Sequence, residues 1–214
     1  MGEASRRKSL EQQMPPLDMQ AVERVSKTLQ KLTSAASTHH GYDCYLHTFF
    51  GRHLLANLGI KTNINSGFAA WRVGHGDGSV VAHVSHIKGH LPPGMQGFAY
   101  HAWLTYGPKI IDLTTYQLRQ KAAELDALDG GHTDVGWCPE MLVADRETIS
   151  TYGQVAQGGV GQFYYERNQA IEEKLASGFT YDPEDLKIAE LILASPDIKV
   201  FGPNQNSHAV MSGL

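Results

Sequence analysis

Two runs rich in β-branched and aromatic residues, Gly97 to Tyr106 and Lys109 to Thr114, are separated by only Gly107 and Pro108. So short a link allows an antiparallel hairpin and sets its register. With Gly107-Pro108 as a two-residue turn, Tyr106 pairs with Lys109 and Trp103 lies opposite Asp112. Pro108 has no N–H to donate, but a turn needs none there. Residues two apart on a strand share a face, and so do cross-strand partners. His101, Trp103 and Asp112 therefore project from one face, with His101 and Asp112 diagonal neighbours about 7–8 Å apart at the backbone. A turn one residue longer would send the ring and the carboxylate to opposite faces.

The rest of the chain supplies helices on both sides of this hairpin. After Asp18, a capping residue, Val22, Val25, Leu29 and Leu32 repeat at amphipathic-helix spacing. The small polar stretch Ser34 to Gly41 interrupts it. A second helix follows, with Leu46, Phe50, Leu54 and Leu58 at i, i+4 intervals and Gly59 as its stop. Cys44 stands at its start. Phe68 to Val73 and Ser79 to Val84 read as strands around the turn residues Gly74, Gly76, Asp77 and Gly78. Further on, Leu118 to Leu128 reads as helix and Glu140 to Ala144 as strand. Glu166 to Ala176 and, behind Asp182-Pro183, Glu184 to Ala194 read as two more helices. Phe163-Tyr164-Tyr165 and the glycines of 158–161 could line a substrate cleft, but packing at a helix start is the simpler reading. Helices, then an antiparallel sheet, then helices predict an α+β fold. One domain is expected over residues 17–195, between an N-terminal tail (1–16) and a C-terminal tail (196–214). The 214 residues, 42% hydrophobic and 19% charged, suit one packed globule.

A net charge of −4 provides no electrostatic attraction for nucleic acid or an anionic membrane, and neither partner is expected. No apolar run is long enough to span a bilayer, and Met1 to Leu10 has no apolar leader core, so a cytoplasmic protein is expected. Gly2 fails as a myristoylation signal because Arg6 stands where Ser or Thr is needed, and Arg6-Arg7-Lys8 reads as a solvated tail. Two cysteines, Cys44 and Cys138, make no disulfide framework.

Cys44 carries the chemical interest. A cysteine attacks carbonyl carbon as the thiolate. The unpaired N–H groups and dipole of a helix N-terminus favour negative charge. The same N–H groups can hold the oxyanion that the attack creates. His101 offers a base, and a carboxylate on one ring nitrogen leaves the other to take the thiol proton. Cys138 is followed by Pro139, has no such surroundings in the sequence, and reads as structural.

A cysteine opening a helix, a strand with His101-Ala102-Trp103 and a strand with Asp112-Leu113-Thr114 resemble the catalytic core of transglutaminase-like proteins. That superfamily shares the papain-like fold with arylamine N-acetyltransferases and bacterial cysteine hydrolases. The resemblance spans roughly Gly41 to Thr114. It implies a nucleophile helix packed on an antiparallel sheet with flanking helices, and places Cys44, His101 and Asp112 on the triad positions. As a whole the chain also resembles an uncharacterised bacterial domain family whose reaction is undefined. Papain-like peptidases carry a glutamine shortly before the cysteine, and residues 37–43 contain none, so Tyr42 or the N–H of Cys44 or Tyr45 is expected as oxyanion donor. The acetyltransferases carry Arg-Gly-Gly there; this chain has His40-Gly41-Tyr42-Asp43, which points away from acyl-coenzyme A chemistry.

The expectation is therefore a cysteine-dependent amide or ester hydrolase, or an amine acyltransferase. It would need no cofactor, act on a small-molecule or peptide acyl substrate, and use Trp103 to exclude water. Two rivals stand beside it. His83, His86 and His90, three and four apart with His75 upstream and His39-His40 elsewhere, suggest a metal-binding protein or metal-dependent hydrolase. A papain-like binding module without activity is the other. His47 and His53, on the Cys44 helix, read as structural.

Overall fold

The computed structural model describes residues 14–36, 43–76, 78–84 and 99–203. The element order is α1 (Met19–Ala36), α2 (Cys44–Asn57), β1 (Asn63–Arg72), β2 (Val80–His83), β3 (His101–Tyr106) and β4 (Lys109–Asp112), then α3 (Leu118–Asp129), β5 (Leu142–Asp145), α4 (Tyr152–Gln157), β6 (Phe163–Arg167), α5 (Gln169–Gly178) and α6 (Pro183–Ala194). Short 3-10 turns at Thr115–Gln117 and Arg146–Thr148 precede α3 and α4. The architecture is α+β: one antiparallel sheet with helices on both faces.

The hairpin has the register its turn demands, with Tyr106 opposite Lys109, Thr105 opposite Ile110 and Leu104 opposite Ile111. Gly107 takes the left-handed conformation at φ 52° that a tight turn needs. β1 is the long central strand. It pairs with β3 along Asn63 to Gly67, with β2 along Ala69 to Arg72, and with β6 along Gly67 to Trp71. Because Gly67 pairs with both β3 and β6, those two strands flank opposite edges of β1. β2 must then continue the edge that β3 begins. β4 and β5 extend the sheet beyond β3.

Alternation decides what each face buries. Leu104, Tyr106, Ile111 and Leu113 face α1, α2 and α6, where Val22, Val25, Leu29, Phe50, Leu54 and Ile192 complete the larger core. Trp71, Trp103, Ile110 and Tyr165 face the other way, under Leu118 and Ala122 of α3 and Val135. The chain near both expected domain ends lies against this body: Tyr106 Oη donates to Pro15 O at 2.9 Å, and Lys31 Nζ to Pro196 O at 2.7 Å.

Three differences from the sequence reading have physical causes. β1 begins five residues before Phe68, because Asn63, Asn65, Ser66 and Gly67 have low strand propensity and are ordered by pairing with β3. Phe163-Tyr164-Tyr165 is strand β6, not a helix start; the helix begins only at Gln169, capped by Asn168, whose side chain accepts from Ile171 N. The short helix α4 has a capping box between Thr151 and Gln154 that the sequence reading passed over.

Candidate functional site

His101 is the first residue of β3 and Asp112 the last of β4, and their side chains meet: His101 Nε2 lies 2.8 Å from Asp112 Oδ2. Asp112 is fully buried, so every lone pair must find a donor. Tyr165 Oη donates to Oδ2 at 2.7 Å, while Thr114 donates to Oδ1 twice, from its N–H at 2.9 Å and its hydroxyl at 2.8 Å. Trp71 Nε1 in turn donates to Tyr165 Oη at 2.8 Å. Burial opposes the carboxylate, but the His101 charge and these donors hold it below the usual range.

Sheet parity explains the company His101 keeps. His101 pairs with Gly67 and His83 with Ala69, two positions along the same edge of β1. Their rings therefore emerge on one face and stack, 5.7 Å apart with 19° between planes. Trp71 meets His101 edge-on at 4.7 Å, and Trp103 lies nearly parallel to it at 6.3 Å.

Cys44 arrives from the other side of the sheet. It opens α2, packs with Tyr45 against Ala102, and lines one cleft with His101, near enough to raise the ring's pKa. With Nε2 committed to Asp112, Nδ1 is the ring nitrogen left for sulfur. Asp43 is the N-cap of α2, but its side chain makes no cap hydrogen bond. It turns instead to His47 Nδ1 (3.3 Å) and Gln117 Nε2 (3.3 Å). The N–H groups of Cys44 and Tyr45, in the first turn, thus have neither an intrahelical acceptor nor the N-cap side chain. His47 is a buried structural residue, its Nε2 3.0 Å from Thr33 Oγ1 and 2.9 Å from Tyr116 Oη.

Burial pushes the His101 ring down, but the charge and hydrogen bond of Asp112, with the nearby Cys44, raise it to about 10. The ring holds its proton at neutral pH. His83 goes the opposite way: burial and the charges of His101 and Lys121 hold it well below the usual histidine range, so it stacks as a neutral ring. The cleft bounded by Cys44, His83, His101, Gln117 and Lys121 is narrow, about 20 Å³, room for one water.

Of the residues singled out in the sequence, Cys44, His101, Asp112 and Trp103 converge. Tyr45 borders the opposite side of Cys44, with its ring 4.7 Å from Phe179. Tyr42, His39, His40, His86 and His90 lie outside the described residues. His83 is a cleft wall beside the proposed base, and among the described residues no group of three or more His, Cys, Asp or Glu is placed to hold a metal ion. Cys138 donates to the carbonyls of Thr115 and Tyr116, at 3.4 and 3.3 Å. His53 is half-buried, as expected of it, and pairs with Glu190 at 2.7 Å. Trp71, Gln117 and Lys121 were missed, and Tyr165 and Thr114 were named without their role as donors to Asp112. Only Thr114 had a signal, the Asp-x-Thr spacing that lets a hydroxyl and an N–H reach back to the carboxylate.

Fold and site together define an α+β protein with a cysteine, a histidine and an aspartate joined at one end of its sheet. No protein-family model and no curated protein matches the chain. Among solved structures, the crystal structure of genomics APC5867 is similar, with a TM-score of 0.60 over 86% of this chain and 84% of that one at 15% identity. At that identity the likeness concerns the fold alone. No helix among the described residues is long and apolar enough to cross a membrane.

Proposed function

We propose that this protein is a cysteine-dependent acyl-transfer enzyme of the papain-like, transglutaminase-like kind. Cys44 is its nucleophile, His101 its acid and base, and Asp112 the residue that orients the ring. One observation carries the reading: a buried imidazole, 4% exposed, held by a carboxylate at one nitrogen and lining one cleft with a cysteine at the start of a helix. Ordinary structural packing does not require a buried charged ring between those two groups.

In the first half-reaction the Cys44 sulfur forms a bond to the carbonyl carbon of an amide or ester, and the carbonyl pair moves onto oxygen. The N–H groups of Cys44 and Tyr45 supply donors for that oxyanion. Its collapse re-forms the carbonyl and expels the leaving group, which takes the proton from His101. In the second half, water or an amine attacks the thioester and gives its proton to His101, and the sulfur leaves with the bonding pair. The net change is exchange of one acyl acceptor for another, with no redox step. Trp71, His83 and Trp103 wall the ring and keep bulk water from it.

Iodoacetamide at neutral pH tests the reading directly. Cys44 is expected to be alkylated at least about tenfold faster than Cys138, and His101→Ala to abolish that advantage. Equal labelling of the two thiols, unchanged in His101→Ala, contradicts an activated nucleophile.

A further inference from the structure

Cys44 lies between two hollows of different size. On the His101 side lies the narrow cleft. On the other lies a pocket of about 390 Å³ walled by Tyr45, Leu46, Tyr100, Leu175 and Phe179, with Asp43 and the exposed Lys174 and Thr180 at its border. That volume falls in the range of small-molecule pockets. Its walls are continuous with the packing of the nucleophile: Cys44, Tyr45 and Ala102 form one apolar cluster with Tyr100, Leu175 and Phe179. They are also braced, since Phe179 meets Tyr45 edge-on at 4.7 Å and Phe49 at 5.0 Å. Tyr100 is close enough to Cys44 that, after burial, the sulfur is the next largest influence raising its hydroxyl.

A substrate attacked at Cys44 divides at the carbonyl. Its leaving group must meet the proton on His101, which assigns that half to the His101 side of the sulfur, at the mouth of the narrow cleft. The acyl substituent must then take the other. We propose that the pocket between α2 and the end of α5 binds the acyl half of the substrate, an uncharged apolar group longer than acetyl, alkyl or ring-bearing. This rests on the thioester reading and specifies the substrate class for it. Five apolar or aromatic side chains in a preformed hollow favour such a group through the water its burial releases.

S-methyl thioesters of two, four and six carbons test the assignment, with methanethiol release and the mass of the Cys44 adduct as readouts. Acylation is expected to rise about a hundredfold from two carbons to six, the factor that burying four methylenes supplies. Two variants reshape the pocket. A Cβ at Gly178, which lines it, meets nothing within 4 Å, so Gly178→Leu adds bulk without a clash and is expected to remove the rise. Phe179→Ala widens the hollow and is expected to move the optimum to longer chains. A hexanoyl thioester no faster than acetyl, in protein whose Cys44 is still alkylated selectively, overturns the pocket and leaves the nucleophile standing. So does a length dependence unaltered in both variants. Loss of Cys44 selectivity together with no acylation by any thioester overturns both proposals.

Discussion

Replacing Asp112 with asparagine keeps the shape of the side chain and changes only what it offers its neighbours. Oδ1 still accepts from the Thr114 N–H and hydroxyl, at 2.9 and 2.8 Å. The other terminus becomes an NH₂ facing Tyr165 Oη and His101 Nε2, at 2.7 and 2.8 Å. Neither contact survives as it stands, because both partners donate to the carboxylate. Tyr165 loses its acceptor, and the ring must go neutral with its proton on Nδ1 toward Cys44. Stranding one buried donor costs about 1–3 kcal/mol, and loss of the charge-assisted pair adds a similar amount. Asp112→Asn is therefore expected to lose about 2–5 kcal/mol in urea denaturation. Its effect on Cys44 is sharper. A ring protonated on the wrong nitrogen cannot take up a proton from the sulfur, and the same inversion in serine-protease triads costs about 10⁴ in turnover. Stopped-time alkylation of Cys44, normalised to Cys138, reads the loss. An Asp112→Asn protein that is less stable yet alkylates Cys44 at the wild-type rate refutes the orienting role.

Other consequences follow from the same contacts. With His101 raised to about 10 by Asp112 and Cys44, its ring proton should titrate near that value by NMR, and fall in Asp112→Asn, which removes the largest influence opposing burial. A histidine raised on folding stabilises fully below its unfolded value near 6.5, and that contribution is lost as pH climbs through about 10. The urea midpoint should accordingly decline over that window, and more steeply than in Asp112→Asn; equal slopes contradict the assignment. Tyr165→Phe leaves the buried Trp71 N–H without its acceptor and removes a donor to Asp112, an expected loss of about 1–3 kcal/mol by urea denaturation. At Gly67 a Cβ would lie 2.0 Å from Glu166 O and 2.7 Å from Asn168 N. Gly67→Ala must displace β6, which carries Tyr165, at a cost of about 1–3 kcal/mol, and an unchanged urea midpoint would show that β6 does not approach so closely.

How much of the site was legible depended on how far its parts lie apart in the sequence. The hairpin could be read because Gly107-Pro108 fixes register locally, and register fixes which side chains share a face. His101 and Asp112 followed from that alone. Cys44 could be placed at a helix start from the spacing of Leu46, Phe50, Leu54 and Leu58. Its approach to His101 from the other face of the sheet rests on how α2 packs against β3, which no local pattern records. The role of Tyr165 was hidden because β6 is five residues long and joins β1 from about ninety residues away. Its aromatic run fits a helix start as well as a strand until the partner is known. His83 illustrates the converse. Its spacing to His86 and His90 suggested a metal site, yet its position opposite Ala69, next along β1 from the partner of His101, sets its ring against the proposed base.

The central claim is that Cys44 carries the acyl group as a thioester. Intact-mass spectrometry of the full chain, quenched in acid within seconds of mixing with a simple thioester, measures it. The expected result is one added acyl group per chain, mapping to Cys44, absent from Cys44→Ala and strongly reduced in His101→Ala. An adduct on Cys138 instead, or equal acylation of wild type and Cys44→Ala, would contradict it.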